Sequence, residues 1–551
     1  MPTRPIRRSV RHVSGLAATG KNIGGGRSVM PYLAAMLAAS IVLGDVSAAS
    51  ALAQPSTASH LVALQKTLSA VTRRVEPAIV AVARFRTLPG RRPAQRNSRA
   101  IDPDHPDFIP NEYGTGILVA DPRDRSKRLV LTCYHVVRGG ILTSGAHTVD
   151  HDSLRPLAVE TSGPGTVSDT SASQYNLHIR FSNRRGCPAR IYAADPRSDL
   201  AVLSLDGLKQ AGLTPTQLSV LPLTARPTPS KGQFMLMVGD PFAIARDGSA
   251  SISWALVSNT RMRSSGLPPR SNPGGTIHSL GTLLQLDRRL ERGTSGTPIF
   301  DLDGHLRGLT TSLAAPGAVD SDSGFAVPIN AAIARILGDL LNGLEVEYGF
   351  LDAQVEDVSQ RQLATYDASF AQPTAARVSR VFRGSPAQRA GIESGDLLLS
   401  VAGRRVLGRI DAMREIEWAG PGREIDMVVW RNRTQEKQAI KVVLGKRPIS
   451  GRDGHVVSHT RHPPWRGLTV DFPTARSRYV PESFEVPHAV VITRVFAGSP
   501  ASRVGIEPGD FIASVGGQPV ETPAEFRRAV NSRRGAVSLK LLDGRQVMLT
   551  P

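Results

Sequence analysis

The chain has 551 residues, with 67 Lys and Arg against 47 Asp and Glu and a formal net charge of +20. That length suggests three or four folding units, each able to bury a core. The basic excess invites a nucleic acid or an acidic surface, but part of it lies in the first residues and the rest is dispersed arginine without a stacking motif, so no nucleic-acid partner is expected. Two cysteines and no Cys/His cluster of metal-ligand spacing give no metal and no cofactor.

In chain order, residues 1–53 read as a targeting segment. Arg4, Arg7, Arg8, Arg11, Lys21 and Arg27 precede an apolar run from Val29 to Gly44, and small residues ending Ala51-Leu52-Ala53 place cleavage before Gln54. The run is short for a span, which takes roughly 20 residues. The long basic lead-in keeps a second reading open, an uncleaved leader that associates the protein with a membrane. Residues 54–66 read as a polar linker, and a short helical pattern starts near Thr67. Pro77 to Phe85 is an apolar strand. A basic, Pro-rich insertion follows from Thr87 to Glu112, and a Ser/Thr/Gly-rich one from Gly139 to Gln174, with His147, His151 and His178 nearby, reads as a mobile surface loop, a metal or pH-sensing role for the histidines being the second reading.

Between the insertions, Leu129 to Val137 is a β-branched apolar run ending in a short turn that carries His135. Asp199 opens another buried strand, Leu200-Ala201-Val202-Leu203. Further on stands Glu291-Arg292-Gly293-Thr294-Ser295-Gly296-Thr297-Pro298. Gly293 lets the backbone turn so that its own N–H and that of Ser295 face one pocket, the geometry that stabilises an oxyanion. A serine hydroxyl needs a base and an orienting acid, and His135 and Asp199 supply them in the order His, Asp, Ser. Cys133 and Cys187 both lie near predicted strands; pairing and two buried thiols both stay open.

These segments, with Gly114-Thr115-Gly116-Ile117, Val238-Gly239-Asp240-Pro241-Phe242, Leu284-Gln285-Leu286-Asp287 and Gly324-Phe325-Ala326-Val327-Pro328, resemble the HtrA/DegP-like branch of the chymotrypsin-fold serine proteases. The resemblance implies a mainly β fold, with a trypsin-like protease domain of two six-stranded β-barrels over residues 67–343. It also implies the triad His135, Asp199 and Ser295, with Gly293 and Ser295 as oxyanion donors. Thr294 cannot pair with a newly cut N-terminus, so activation by loop ordering is implied. Relatives usually carry Gly at the position of Thr297 and small or neutral residues at Arg288, Arg289 and Arg292. Either Leu290 keeps the specificity pocket apolar while the arginines face solvent, or Arg289 enters its floor.

Val378 to Asp396 recurs as Ile492 to Asp510, with Gly384-Ser385-Pro386 and Gly498-Ser499-Pro500 set 114 positions apart. In each copy Ser caps a short helix, Pro fits its first turn and Gly-Ile ends it. The pattern resembles PDZ domains, α+β partly open barrels, at 346–445 and 465–551, joined by a basic linker at 446–464. Such domains add a peptide as a strand and hold its terminal carboxylate on backbone N–H groups. The matching loops contain Gly349, Phe350 and Leu351 in the first copy and Gly467 and Leu468 in the second. Asp352 stands where the family usually has Gly, and its carboxylate would oppose the peptide's own. Groove helices are expected at Ile410 to Trp418 and Pro523 to Ser532, the latter with a capping box in Thr522 and Glu525.

The resemblance therefore implies an exported, periplasmic or envelope serine endopeptidase, independent of ATP, that degrades unfolded or damaged proteins. PDZ domains would bind C-terminal or extended peptides, within a homo-oligomer built on trimers. The rival reading is a weak or inactive relative that acts as a chaperone or scaffold.

Overall fold

The computed structural model describes residues 57–85, 103, 110–144, 146–149, 175–239, 250–263, 276–291, 293–312, 323–366, 370–449, 455–475 and 485–551. The leader, most of both insertions, Asp240-Pro241-Phe242 and Arg292 lie outside the described residues. Helix α1 (Thr57–Val75) begins before the expected Thr67. Its second half carries the readable pattern, because Leu68, Val71, Thr72 and Val75 recur at helical spacing and face inward.

Strands β1 (Ile79–Phe85), β2 (Glu112–Ala120) and β3 (Arg128–Cys133) lead into the single helical turn α2 (Tyr134–Val137). Then follow the short β4 (His147–Val149), β5 (Asn176–Phe181), β6 (Gly186–Asp195) and β7 (Leu200–Leu205). Antiparallel pairing runs β6-β5-β1-β2-β3-β7, and β7 returns to β6, closing six strands into a barrel. Val130, Leu131, Ile117, Val82 and Val202 are all buried, so the strands are covered on both faces and are apolar at successive positions.

The second barrel closes in the order β10-β13-β12-β11-β8-β9. Its strands are β8 (Phe234–Gly239), β9 (Ser251–Met262), β10 (Leu283–Leu286), β11 (Pro298–Phe300), β12 (Leu306–Thr310) and β13 (Gly324–Pro328). Helix α3 (Ala331–Leu341) follows, capped by Asn330, with Ile333, Ile336, Leu337 and Leu340 buried on one stripe. This is the mainly β, two-barrel architecture that the sequence led us to expect.

The first repeat comprises β14 (Gly349–Phe350), β15 (Ala353–Val358), α4 (Gln360–Leu363), β16 (Ala375–Val381), α5 (Pro386–Arg389), β17 (Leu397–Val401), β18 (Arg404–Arg405), α6 (Arg409–Ala419), β19 (Glu424–Arg431), β20 (Glu436–Val443) and β21 (Gly445–Lys446). The stretch expected as a basic linker is built into two sheets. In it β21 pairs with β14, and β22 (Val456–Ser458) pairs with β4 and with β6 of the first barrel. Lys446 is 2% exposed, with its Nζ at 2.8 Å from Glu345, 3.0 Å from Glu347 and 2.8 Å from Asp471.

The second repeat has β23 (Leu468–Asp471), β24 (Val490–Val495), α7 (Pro500–Arg503), β25 (Phe511–Val515), β26 (Gln518–Pro519), α8 (Pro523–Asn531), β27 (Val537–Leu541) and β28 (Gln546–Leu549). The sheets β15-β16-β17-β19-β20 and β23-β24-β25-β27-β28 share one topology, and each copy buries its own core. Ser385 and Ser499 cap α5 and α7 through the N–H groups of Gln388 and Ser502. The capping box of Thr522 and Glu525 opens α8, and Asp543-Gly544 turns β27 into β28.

Candidate active site

The buried run Leu129–Cys133 holds β3 in the first barrel and so fixes the turn on which His135 sits. Its Nδ1 lies 2.8 Å from Asp199 Oδ2 and 2.9 Å from Oδ1, and its backbone N–H donates to Oδ1 at 3.0 Å. Thr311 adds a hydroxyl to Oδ2 at 2.8 Å. Asp199 is wholly buried and adopts φ +56°, a left-handed conformation that costs a non-glycine residue about 1–3 kcal/mol. Burial opposes its charge, but the His135 imidazole and the hydrogen bonds from His135 and Thr311 outweigh that and hold its carboxyl below the ordinary range. The carboxylate therefore stays ionised and fixes Nδ1 as the protonated nitrogen, leaving Nε2 as the accepting one.

Ser295 stands at the mouth of the second barrel, just before β11, and is 8% exposed. Gly293 and Gly296 on either side take φ +85°, where an added Cβ is disfavoured; at Gly296 it would also meet the Thr115 carbonyl at 2.0 Å. Among the described residues neither the Gly293 nor the Ser295 N–H donates a hydrogen bond, and the Ser295 carbonyl is held by the Thr115 N–H at 2.8 Å. Thr297 fits although it is larger than glycine. Its hydroxyl donates to Thr115 Oγ1 at 3.1 Å, and it occupies space left by Gly239, where a Cβ would come within 2.3 Å of Thr297 Oγ1.

One residue of the site escaped the sequence reading. Ser295 Oγ donates to Ser312 Oγ at 3.2 Å, and Ser312 Oγ lies 3.1 Å from His135 Nε2. Ser295 and His135 are thus bridged by a second hydroxyl. No motif marks Ser312; only its place, one residue after Thr311, carries a signal.

A second tier of buried polar groups fixes the loop from Asp195 to Asp199. The Asp195 carboxylate, raised by burial, accepts from Ser198 N–H at 3.0 Å and Tyr348 O–H at 2.5 Å. His278, buried and held low by burial, bridges Ser198 O at 3.0 Å and Thr282 Oγ1 at 2.7 Å. Arg197 Nη2 meets Glu417 of α6 at 2.5 Å, and Arg447 meets the other oxygen of Glu417 at 3.0 Å. Arg414 of α6 donates to Leu280 O at 3.1 Å. The helix beside the first repeat's groove is thus hydrogen-bonded to the loop that ends in Asp199.

A trypsin-like peptidase domain model matches residues 114–309, and a PDZ domain model matches 377–431 and 491–543. A probable periplasmic serine endoprotease, DegP-like, from Hahella chejuensis is 26% identical over 69% of this chain and 75% of its own length. A DegP-like relative from Brucella suis is 28% identical over 65% and 64%, and the periplasmic pH-dependent serine endoprotease DegQ of Escherichia coli 24% over 67% and 73%. The chain thus carries a trypsin-like peptidase domain and two PDZ domains, and it is similar to the DegP-like serine endoproteases.

In this chain Arg289 is exposed, and Leu290 is half-buried against the second-barrel core, lying where a Cβ on Gly324 would approach it at 2.8 Å. In the repeats Gly349 and Leu351 are buried and Phe350 half-buried, while Gly467 is half-buried before the buried Leu468. Cys133 and Cys187 are both buried thiols, and no disulfide joins them. Burial, with the Asp199 carboxylate nearby, raises the Cys133 thiol far up, so it is no rival nucleophile. Asp301, Asp303 and His305 bring three ligand atoms within 4.8 Å of one another, but Asp301 is already engaged by Arg307 at 2.9 Å and by turn N–H groups.

Proposed function

We propose that the chain is an exported, ATP-independent serine endopeptidase that cuts unfolded or damaged proteins of the cell envelope, with His135, Asp199 and Ser295 as its triad. The observation that carries this reading is the His135 ring held by the buried Asp199 beside a serine whose loop offers two uncommitted N–H groups. His135 Nε2 takes the Ser295 proton as Oγ attacks the scissile carbonyl, and later gives it to the leaving amine. Asp199 balances the imidazolium without taking its proton. The Gly293 and Ser295 N–H groups receive the oxyanion, a contribution of about 3 kcal/mol per donor. The repeats serve as peptide-binding modules. The periplasmic naming of the relatives supports an envelope location, and the family supports self-association.

Ser312 favours a second reading, a resting enzyme of low activity, because its hydroxyl occupies the line between nucleophile and base. Digestion of a reduced, unfolded protein by the full chain beside Ser295→Ala decides between them. Cleavage abolished in the variant supports the peptidase; equal absence in both, with peptides present to fill the grooves, leaves the chaperone or scaffold.

A further inference from the structure

A matching hydrogen bond and a matching strand register align the loops of the two repeats without any outside reference. Ala387 N–H donates to Leu351 O as Ala501 N–H donates to Arg466 O, and Ala353 pairs with Val381 as Leu468 pairs with Val495. Leu351 is therefore the equivalent of Arg466, and Asp352 of Gly467. Both positions are left-handed, at φ +54° for Asp352 and +85° for Gly467. Where the second copy has bare backbone, the first has a carboxylate.

That carboxylate is half-buried, and among the described residues it accepts no hydrogen bond and forms no ion pair. Burial pushes it up to about 6, with the Arg389 guanidinium of α5 drawing it partly back. Arg389 is itself occupied, donating to Gly384 O and lying 4.0 Å from Glu521, which in turn sits 3.1 Å from His488 Nδ1. Among the described residues no other titratable or charged group acts on Asp352. Among the described residues the loop N–H groups of Leu351 and Asp352 donate to nothing, and likewise those of Arg466 and Gly467. The second loop thus offers donors alone. The first offers donors beside an acceptor that is negative at neutral pH.

A chain end is two acceptor oxygens and a negative charge. An uncut peptide bond is one acceptor and one donor. We infer that the first repeat takes the interior of an extended substrate chain, with a peptide C=O on the loop N–H groups and the adjoining N–H on the Asp352 carboxylate, while the second repeat takes free C-termini. This rests on the reading of the repeats as peptide-binding modules. It divides the labour within one molecule: one groove reads where a chain ends, the other reads exposed segments wherever they occur.

The test uses the full-length chain carrying Ser295→Ala, so that peptides are bound and not cut. Two fluorescent photo-crosslinking decapeptides share one apolar sequence and differ only in ending as a free acid or a carboxamide. At pH 8 the amide should label residues 349–353 and the acid residues 466–469, with the first site favouring amide over acid at least tenfold. Asp352→Asn keeps the shape and a left-handed-tolerant residue but removes the charge, and should bring that preference to within about threefold. Measurement at pH 5, where Asp352 is protonated, should do the same in the unmutated loop. Labelling of the first loop by the acid at pH 8 as strongly as by the amide, or a preference untouched by Asp352→Asn, overturns the inference and leaves the repeats as peptide binders. Absence of labelling at either loop overturns both.

Discussion

At the scale of single residues, the site differs from a bare triad by one hydroxyl. Ser312 accepts from the nucleophile and reaches the base, so Ser295 spends its proton on a neighbour that is not basic. Removing that hydroxyl with Ser312→Ala should let Ser295 turn directly to His135 Nε2, and the rate of Ser295 labelling by a fluorophosphonate should rise by about threefold to tenfold, a small part of what a general base contributes. A fall of tenfold or more would instead make Ser312 an obligatory carrier of the proton. The proposed triad could be named from the sequence because each member lies close to the end or start of an apolar strand, and strand ends are visible in a pattern of residues. Ser312 was not, because its importance comes from two partners that lie 17 and 177 positions away. Thr297 read as a departure from the family pattern with no visible compensation for the same reason; the space it fills belongs to Gly239, far away in the chain.

At the scale of elements, α6 and the Asp195–Asp199 loop share one buried ion pair. Glu417 is 1% and Arg197 8% exposed, and Arg447 completes the set. Glu417→Ala leaves the Arg197 guanidinium buried without that partner, which should destabilise the fold by roughly 3–5 kcal/mol, whereas Arg197→Met with Glu417→Met should come out near neutral. Chemical denaturation of the three proteins reads the difference; equal losses in the single and double variants would refute it. The same loop leans on neutral His278. Its pKa in the fold is below its ordinary ~6.5, so acid drives a proton onto the unfolded chain first. Stability is therefore full above ~6.5 and declines as pH falls through the lower folded value. Between pH 7 and pH 5 the melting temperature should drop, and it should drop less in His278→Gln; identical slopes would remove His278 from the account. The elements themselves were mostly readable, since caps such as Ser385 and Thr522 and the Asp543-Gly544 turn are local chemistry. The early start of α1 was not, because the stripe that marks the helix begins only at Leu68.

At the scale of the whole molecule, composition and repeats gave the number of parts but not how they are joined. The linker reading of 446–464 followed from its basic, polar residues. What overrides that composition is pairing at distant edges: β22 lies between β4 and β6, and Lys446 gathers three carboxylates from two sides of the joint. Proline at position 457 would remove the N–H and the strand geometry that face Ala194. In Val457→Pro, amide exchange should accelerate in β6 while β24 and β25 keep their protection, and Ser295 labelling should slow. Unchanged exchange in β6 would mean that the strand merely rests there.

That strand also sets an order of events in time. The hydrogen bond from His455 N–H to the Tyr134 hydroxyl, next to His135, closes a loop of 321 positions. A contact of such sequence separation forms late, because distant pairings slow folding. Until the chain through Ser458 is present, the end of β6 at Ala194 lacks the strand that pairs with it there, and an unpaired strand end is the kind of edge that recruits other strands. A chain emerging N-terminus first thus finishes the wall behind its own triad only after the whole first repeat has arrived, so maturation of the peptidase is expected to lag behind synthesis of the barrels that contain it.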